Sequence, residues 1–113
     1  MTKEYDPLES EKQKEDDRKK RESTRKRELN DIRKVLSLPE GRRVIWRILG
    51  NCGMFRSPYT PKDTNATFVE IGKKEIGLQV LQDVTDAKPE AYYQMYFESV
   101  NEKNEEKKQE SGE

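Results

Sequence analysis

Apolar residues are missing from both ends of the chain and crowd its middle. Between Ser10 and Glu28 no apolar side chain occurs, and from Asn101 onward only Glu, Lys, Asn, Gln, Ser and Gly appear. Neither end can bury a core. In the middle, Leu29, Ile32, Val35 and Leu36 follow helical spacing. Pro39 disfavours helical geometry at Leu38 and suits the first turn of a new helix, so "SLPEG" predicts a break near Ser37 and a restart. The second helix is expected over about 39–49, with Val44, Ile45, Ile48, Leu49 and Cys52 as one apolar stripe. Gly50, Asn51 and Gly53 supply the left-handed conformations that end it.

The next stretch, "MFRSPYTPKDTN", carries two prolines and reads as an irregular loop whose Met54, Phe55 and Tyr59 pack back on the core. Asp63, Thr64 or Asn65 caps a third helix reaching about Thr85. Phe68, Ile71, Leu78 and Leu81, with Ile76, Val80 and Val84 beside them, give it a wide apolar surface. Gly72 and Gly77 each weaken such a helix by about 1 kcal/mol relative to Ala, which close packing would explain. Pro89 is expected to open a fourth helix carrying Tyr92, Met95, Tyr96 and Val100 at i, i+3, i+4 and i+8. No alternating strand pattern of useful length and no internal repeat occurs. The pattern predicts an all-α fold: a bundle of about three core helices preceded by a long charged N-terminal helix or arm. The arm covers residues 1–28 and the core 29–100. A disordered charged tail covers 101–113. So small a core is marginal and invites support from a partner or from self-association.

Charge narrows the function classes. The 113 residues hold 23 bases and 23 acids, so no global field draws the protein to nucleic acid or lipid, and any such attraction is local. A single Cys and the absence of His remove a disulfide framework and the usual zinc and general-base chemistry. We therefore expect no metal, no cofactor and no enzymatic activity, in a reducing compartment. Cys52 reads as a small buried hydrophobe, because no base neighbours it. Asp83 and Asp86 read as capping or dipole residues at a helix end. No apolar run is long enough to cross a bilayer, and the N-terminus lacks a signal-peptide pattern, so a non-exported soluble protein is expected.

Two sets of residues could carry binding. The first is Arg18, Lys19, Lys20, Arg21, Arg25, Lys26 and Arg27, interrupted only by Glu22, Ser23 and Thr24, which could follow phosphates. The competing reading is a solvated or protein-binding arm, since Asp16 and Asp17 would repel phosphate. A zipper is excluded, because Leu29 and Leu36 make one heptad step before Pro39. The second set is Arg42, Arg43, Trp46 and Arg47 in "PEGRRVIWRILGNCG", residue types typical of interface hot spots. Against it stands a structural role, with the Arg stems covering the core and Trp46 packed on Met54 and Phe55. Tyr92, Tyr93, Tyr96 and Phe97 are too many aromatics for one core stripe, so Tyr93 and Phe97 mark a second contact side.

"IRKVLSLPEGRRVIWRILGNCGMFRSPY" followed by "FVEIGKKEIGLQVLQDVTDAKPEAYYQMYFE" resembles a family of small phage proteins, typically encoded among capsid and tail genes of tailed phages and prophages. The shared elements are PEGRR with Trp46 beyond it, the Cys52-Gly53-Phe55 turn, Gly72-Lys73-Lys74 to Gly77-Leu78, and Pro89-Glu90-Ala91-Tyr92 before Met95. They span about Asp31 to Glu98. The resemblance implies a phage protein, located in the virion and host cytoplasm, with a phage structural or assembly protein as partner. It supplies no catalytic residue. A host protein bound and inhibited by the chain, or packaged DNA held by the N-terminal arm, are the rival partners.

Overall fold

The computed structural model describes residues 6–58 and 61–112. Within them the chain forms four helices and no strand: α1 (Pro7–Leu36), α2 (Pro39–Asn51), α3 (Thr64–Ala87) and α4 (Ala91–Glu110). The all-α expectation holds. Those parts of the arm and tail expectations that fall on residues 1–5 and 113, and the packing of Tyr59, lie outside the described residues.

From Pro7 onward the N-terminal arm is one unbroken helix. Asp6 is extended and its carboxylate accepts from the Leu8 amide at 3.0 Å, while Pro7 fills the first helical position, where no amide hydrogen is needed. No Gly or Pro follows until Pro39. The exposed charges pair along the axis instead: Arg18 bridges Glu15 and Glu22, and Gln13 donates to Asp17 at 3.0 Å. Hydrogen bonding from Arg18 holds the Glu15 carboxyl below the usual carboxylate range. Thirty residues at 1.5 Å each give α1 a length of about 45 Å.

The turn into α2 depends on Gly41. A Cβ there would lie 2.8 Å from the carbonyl carbon of Val35, so only glycine lets α2 start this close to the end of α1. Along α2 the residues turned inward are Arg42, Ile45, Trp46 and Leu49, at i, i+3, i+4 and i+7, with Leu49 fully buried. This corrects the expected stripe, since Val44 and Ile48 are exposed. The inward arc is rotated toward Arg42 because that side chain has partners inside the fold.

The core is small. Leu36, Leu49, Val84, Ala91 and Met95 are buried, and Ile32, Ile45, Trp46, Met54, Val80 and Leu81 pack around them. On α3 the apolar surface is wider than its cover. Phe68, Ile71, Ile76 and Leu78, expected in the core, are exposed on either side of the inward line through Gly77 and Val84. Gly77 does serve close packing, for a Cβ there would sit 2.7 Å from the Met54 sulfur and 2.8 Å from Cys52 Cβ. Gly72 does not, having nothing within 4 Å. Asp63 is the cap of α3, accepting from the Ala66 amide at 2.9 Å. At the end of α2 only Gly53 has a positive φ, and Gly50 stays helical.

Two polar clasps join distant elements. Arg25 of α1 donates to Asp83 at 2.8 Å and to Asp86 at 2.9 Å on α3. Asp83 and Asp86 are thus interhelical partners, which corrects the reading of them as caps or dipole residues. Hydrogen bonds from Gln82 and Arg25 hold the Asp86 carboxyl below its ordinary range. Arg33 donates to the Ala87 carbonyl at 2.7 Å, satisfying an acceptor at the end of α3 that has no intrahelical partner. After a turn in which the Ala91 amide donates to the Lys88 carbonyl, α4 starts at Ala91, two residues later than Pro89 suggested. It then runs on as helix to Glu110 with residues 101–110 exposed, where a disordered tail was expected. No helix breaker precedes Gly112, and Lys107 and Lys108 complement the negative end of the helix. With extents of 80 × 41 × 19 Å and a radius of gyration of 21.3 Å, against about 13 Å for a compact chain of this length, the molecule is elongated.

Candidate protein interface

Six aromatic rings from three segments touch in a continuous run. Trp46 of α2 stacks on Phe55, in the turn that follows α2, with centroids 4.6 Å apart. It meets Tyr92 at 5.7 Å and Tyr96 at 6.4 Å on α4. Tyr93 leans edge-on against Tyr92, and Phe97 against Tyr96. The antiparallel approach of α2 and α4 makes this possible, because it places Trp46 opposite Tyr92 and Tyr96 while Arg42 meets Glu98. These edge-on and offset contacts suit the ring quadrupoles.

The run is wet on one side. Trp46 and Tyr92 are half-buried, whereas Tyr93 is 65% exposed and Phe97 61%, with Tyr96 and Phe55 also exposed. On α4 the exposed rings Tyr93, Tyr96 and Phe97 stand at i, i+3 and i+4, one face of a helix, with the half-buried Val100 following at i+7. The three rings offer an apolar strip that the core does not use.

An open groove of about 460 Å³ runs between α2 and α4, lined by Val44, Trp46 and Met95 among others. Arg43 and Arg47 stand on its α2 wall and Glu98 and Glu102 on its α4 wall. Arg43 reaches Glu40 only at 3.9 Å, and Arg47 is exposed with no salt bridge among the described residues. Walls of opposite sign give the groove no preference for a simple anion.

The residues expected at an interface therefore divide. Arg43, Trp46 and Arg47 line the groove, whereas Tyr93 and Phe97 stand on the outer face of α4 and are joined to Trp46 only through Tyr92 and Tyr96. Arg42 is held inside the fold: its side chain is 12% exposed, its Nε donates to Glu98 at 2.7 Å and its Nη1 to the Leu36 carbonyl at 2.9 Å. It closes the last turn of α1 and ties that turn to α4, so it is a fold residue. Trp46 packs on Phe55, as its structural reading expected, and it also meets Tyr96 of the exposed strip. The basic cluster divides too. Arg18 and Arg25 are engaged in ion pairs, while Lys19, Lys20, Arg21, Lys26 and Arg27 are exposed and form no salt bridge among the described residues. Sequence reasoning missed Tyr96 and Phe55 as exposed members; the i, i+3 step from Tyr93 to Tyr96 was the available signal. Cys52 is half-buried against Gly77. The described residues contain no cluster of three ligating side chains for a metal ion, and no described helix is long and apolar enough to cross a membrane.

Four helices, a core of few residues and an uncovered aromatic strip define the class, a small all-α protein with more apolar surface than its own fold can bury. Within that class, the family model described as Bbp19-like phage protein matches residues 32–97, and the chain belongs to this phage protein family. The matched span contains every residue of the aromatic run and leaves out most of α1 and the end of α4. No curated protein and no solved structure matches the chain.

Proposed function

We propose that this phage protein acts by binding another protein, as a virion-associated or virion-assembly component, and catalyses no reaction. The observation that carries the reading is the exposed strip Tyr93, Tyr96 and Phe97, continuous with Trp46, which in turn lines a groove with Arg43 and Arg47. Trp, Tyr and Arg are the residue types that dominate interface energetics, and an uncovered aromatic face of this kind costs solubility unless a partner covers it. The partner we assign is a phage structural or assembly protein, on the gene neighbourhood that the sequence resemblance implies for a chain of a phage family. The places of action are then the host cytoplasm during assembly and the particle afterwards.

Timed sampling of infected cells tests this. Mass spectrometry of gradient-purified particles and of assembly intermediates is expected to find the chain from the late stage onward. Early synthesis, with the chain absent from both fractions and bound to a host protein, would show a host-directed inhibitor instead.

A further inference from the structure

The basic residues of α1 are not spread evenly round the helix. At 100° per residue, Lys19, Lys20, Lys26, Arg27 and Lys34 fall within an arc of about 120°. This arc faces away from Arg25, Ile32 and Leu36, the side by which α1 meets the core and α3. Ser23 and Asn30 occupy the positions between, so from Lys19 to Lys34 the arc holds no acid and no apolar residue. All seven side chains are exposed, and the five bases form no salt bridge among the described residues. The acids of the same stretch, Glu22, Glu28 and Asp31, point outside the arc. Glu22 and Glu28 are already paired, with Arg18 and Arg25. Asp16, one turn before Lys19, ends the stripe. Its length is about 22 Å.

We propose that this outward face of α1 binds the phosphodiester backbone of duplex DNA without reading its sequence. Five cations in two adjacent rows along one helix face fit a charged polymer with a regular phosphate repeat, and each contact releases a condensed counterion. Lys, Arg, Ser and Asn are phosphate-contacting types. A protein partner fits less well, because protein interfaces bury an apolar centre and are depleted in Lys, and this face has no apolar residue to offer. The zero net charge confines the attraction to the stripe. The bases of this face differ from the basic cluster read along the sequence. Arg18 and Arg25 are spent on ion pairs, Arg21 lies outside the arc, and Lys34, beyond the basic cluster in sequence, joins it. No residue is shared with the aromatic surface, so either surface can fail alone.

Fluorescence anisotropy of the full chain with a labelled mixed-sequence duplex, between about 50 and 200 mM salt, tests this. Affinity is expected to fall with salt along a logarithmic slope approaching about −4.5 for five contacts. Changing Lys19, Lys20, Lys26, Arg27 and Lys34 together to Gln should weaken binding at least about tenfold at the lowest salt and flatten the slope, with helix content unchanged by circular dichroism. Arg18→Gln should leave both quantities close to wild type. No binding at low salt, or binding that ignores the five changes, overturns the proposal. Tighter binding of polyglutamate than of duplex also overturns it, and would assign the face to an acidic protein.

Discussion

Two glycines of one helix separate propensity from packing at the scale of a residue. Gly72 and Gly77 both lie inside α3, yet a Cβ would meet nothing at Gly72 and would press on Met54 and Cys52 at Gly77. Gly72→Ala is therefore expected to stabilise the fold by about 0.5–1 kcal/mol through helix propensity alone. Gly77→Ala is expected to destabilise it by about 1–3 kcal/mol, because the Cys52 backbone turn must shift to admit the methyl group. Urea unfolding of the two variants measures the contrast; equal shifts of the same sign would refute it. Local spacing alone treats these glycines alike, and only the course of the chain after α2, returning Met54 and Cys52 to α3, sets them apart. Arg42 teaches the same lesson. A guanidinium in an apolar-periodic helix reads as solvent-facing, but its carboxylate partner lies 56 positions away, where no local pattern reports it.

Helix boundaries, in contrast, are written in adjacent residues and were legible. Pro39 marks the restart of α2, and Asp63 marks the cap of α3. Asp6-Pro7 was an equally explicit start signal, overshadowed by the density of charge that follows it. What neighbouring residues do not encode is how elements are held together, and the clasp of α1 on α3 by Arg25 is the main case. It has a predictable pH response. Asp86 has a lowered carboxyl pKa in the fold, so it contributes stability above the ordinary aspartate value of about 3.9, and this is lost as pH falls through the lowered folded value. Unfolding midpoints should fall below about pH 4 in the wild type. They should fall less steeply in Arg25→Gln, whose Asp86 keeps only Gln82 as partner. Identical acid profiles for the two proteins would mean that the clasp adds nothing to the joining of α1 and α3.

The whole molecule is better described by its surfaces than by its core. Among the described residues six hydrophobic side chains are buried, while fourteen large ones stay exposed, an imbalance that the proposed partner would relieve. The six-ring aromatic run falls inside the matched span, and the basic stripe begins outside it, in the part of α1 that precedes residue 32. That division separates a family body, which carries the aromatic run, from a charged arm that lengthens the molecule. The aromatics were legible as too numerous for one core stripe. Their union into a single run was not, because it depends on α2 and α4 lying antiparallel.

The central claim is that this run docks the chain on a phage partner, and incorporation of a double variant tests it most directly. Tyr93→Ser together with Phe97→Ser removes two exposed rings and leaves Trp46, Tyr92 and the buried residues in place. If the strip is the binding centre, a loss of at least about 2 kcal/mol, near thirtyfold in affinity, is expected. Quantitative mass spectrometry of particles and assembly intermediates from phage carrying the variant should then show the chain strongly depleted, with its unfolding midpoint in solution unchanged. Undiminished incorporation of a correctly folded variant would contradict the account.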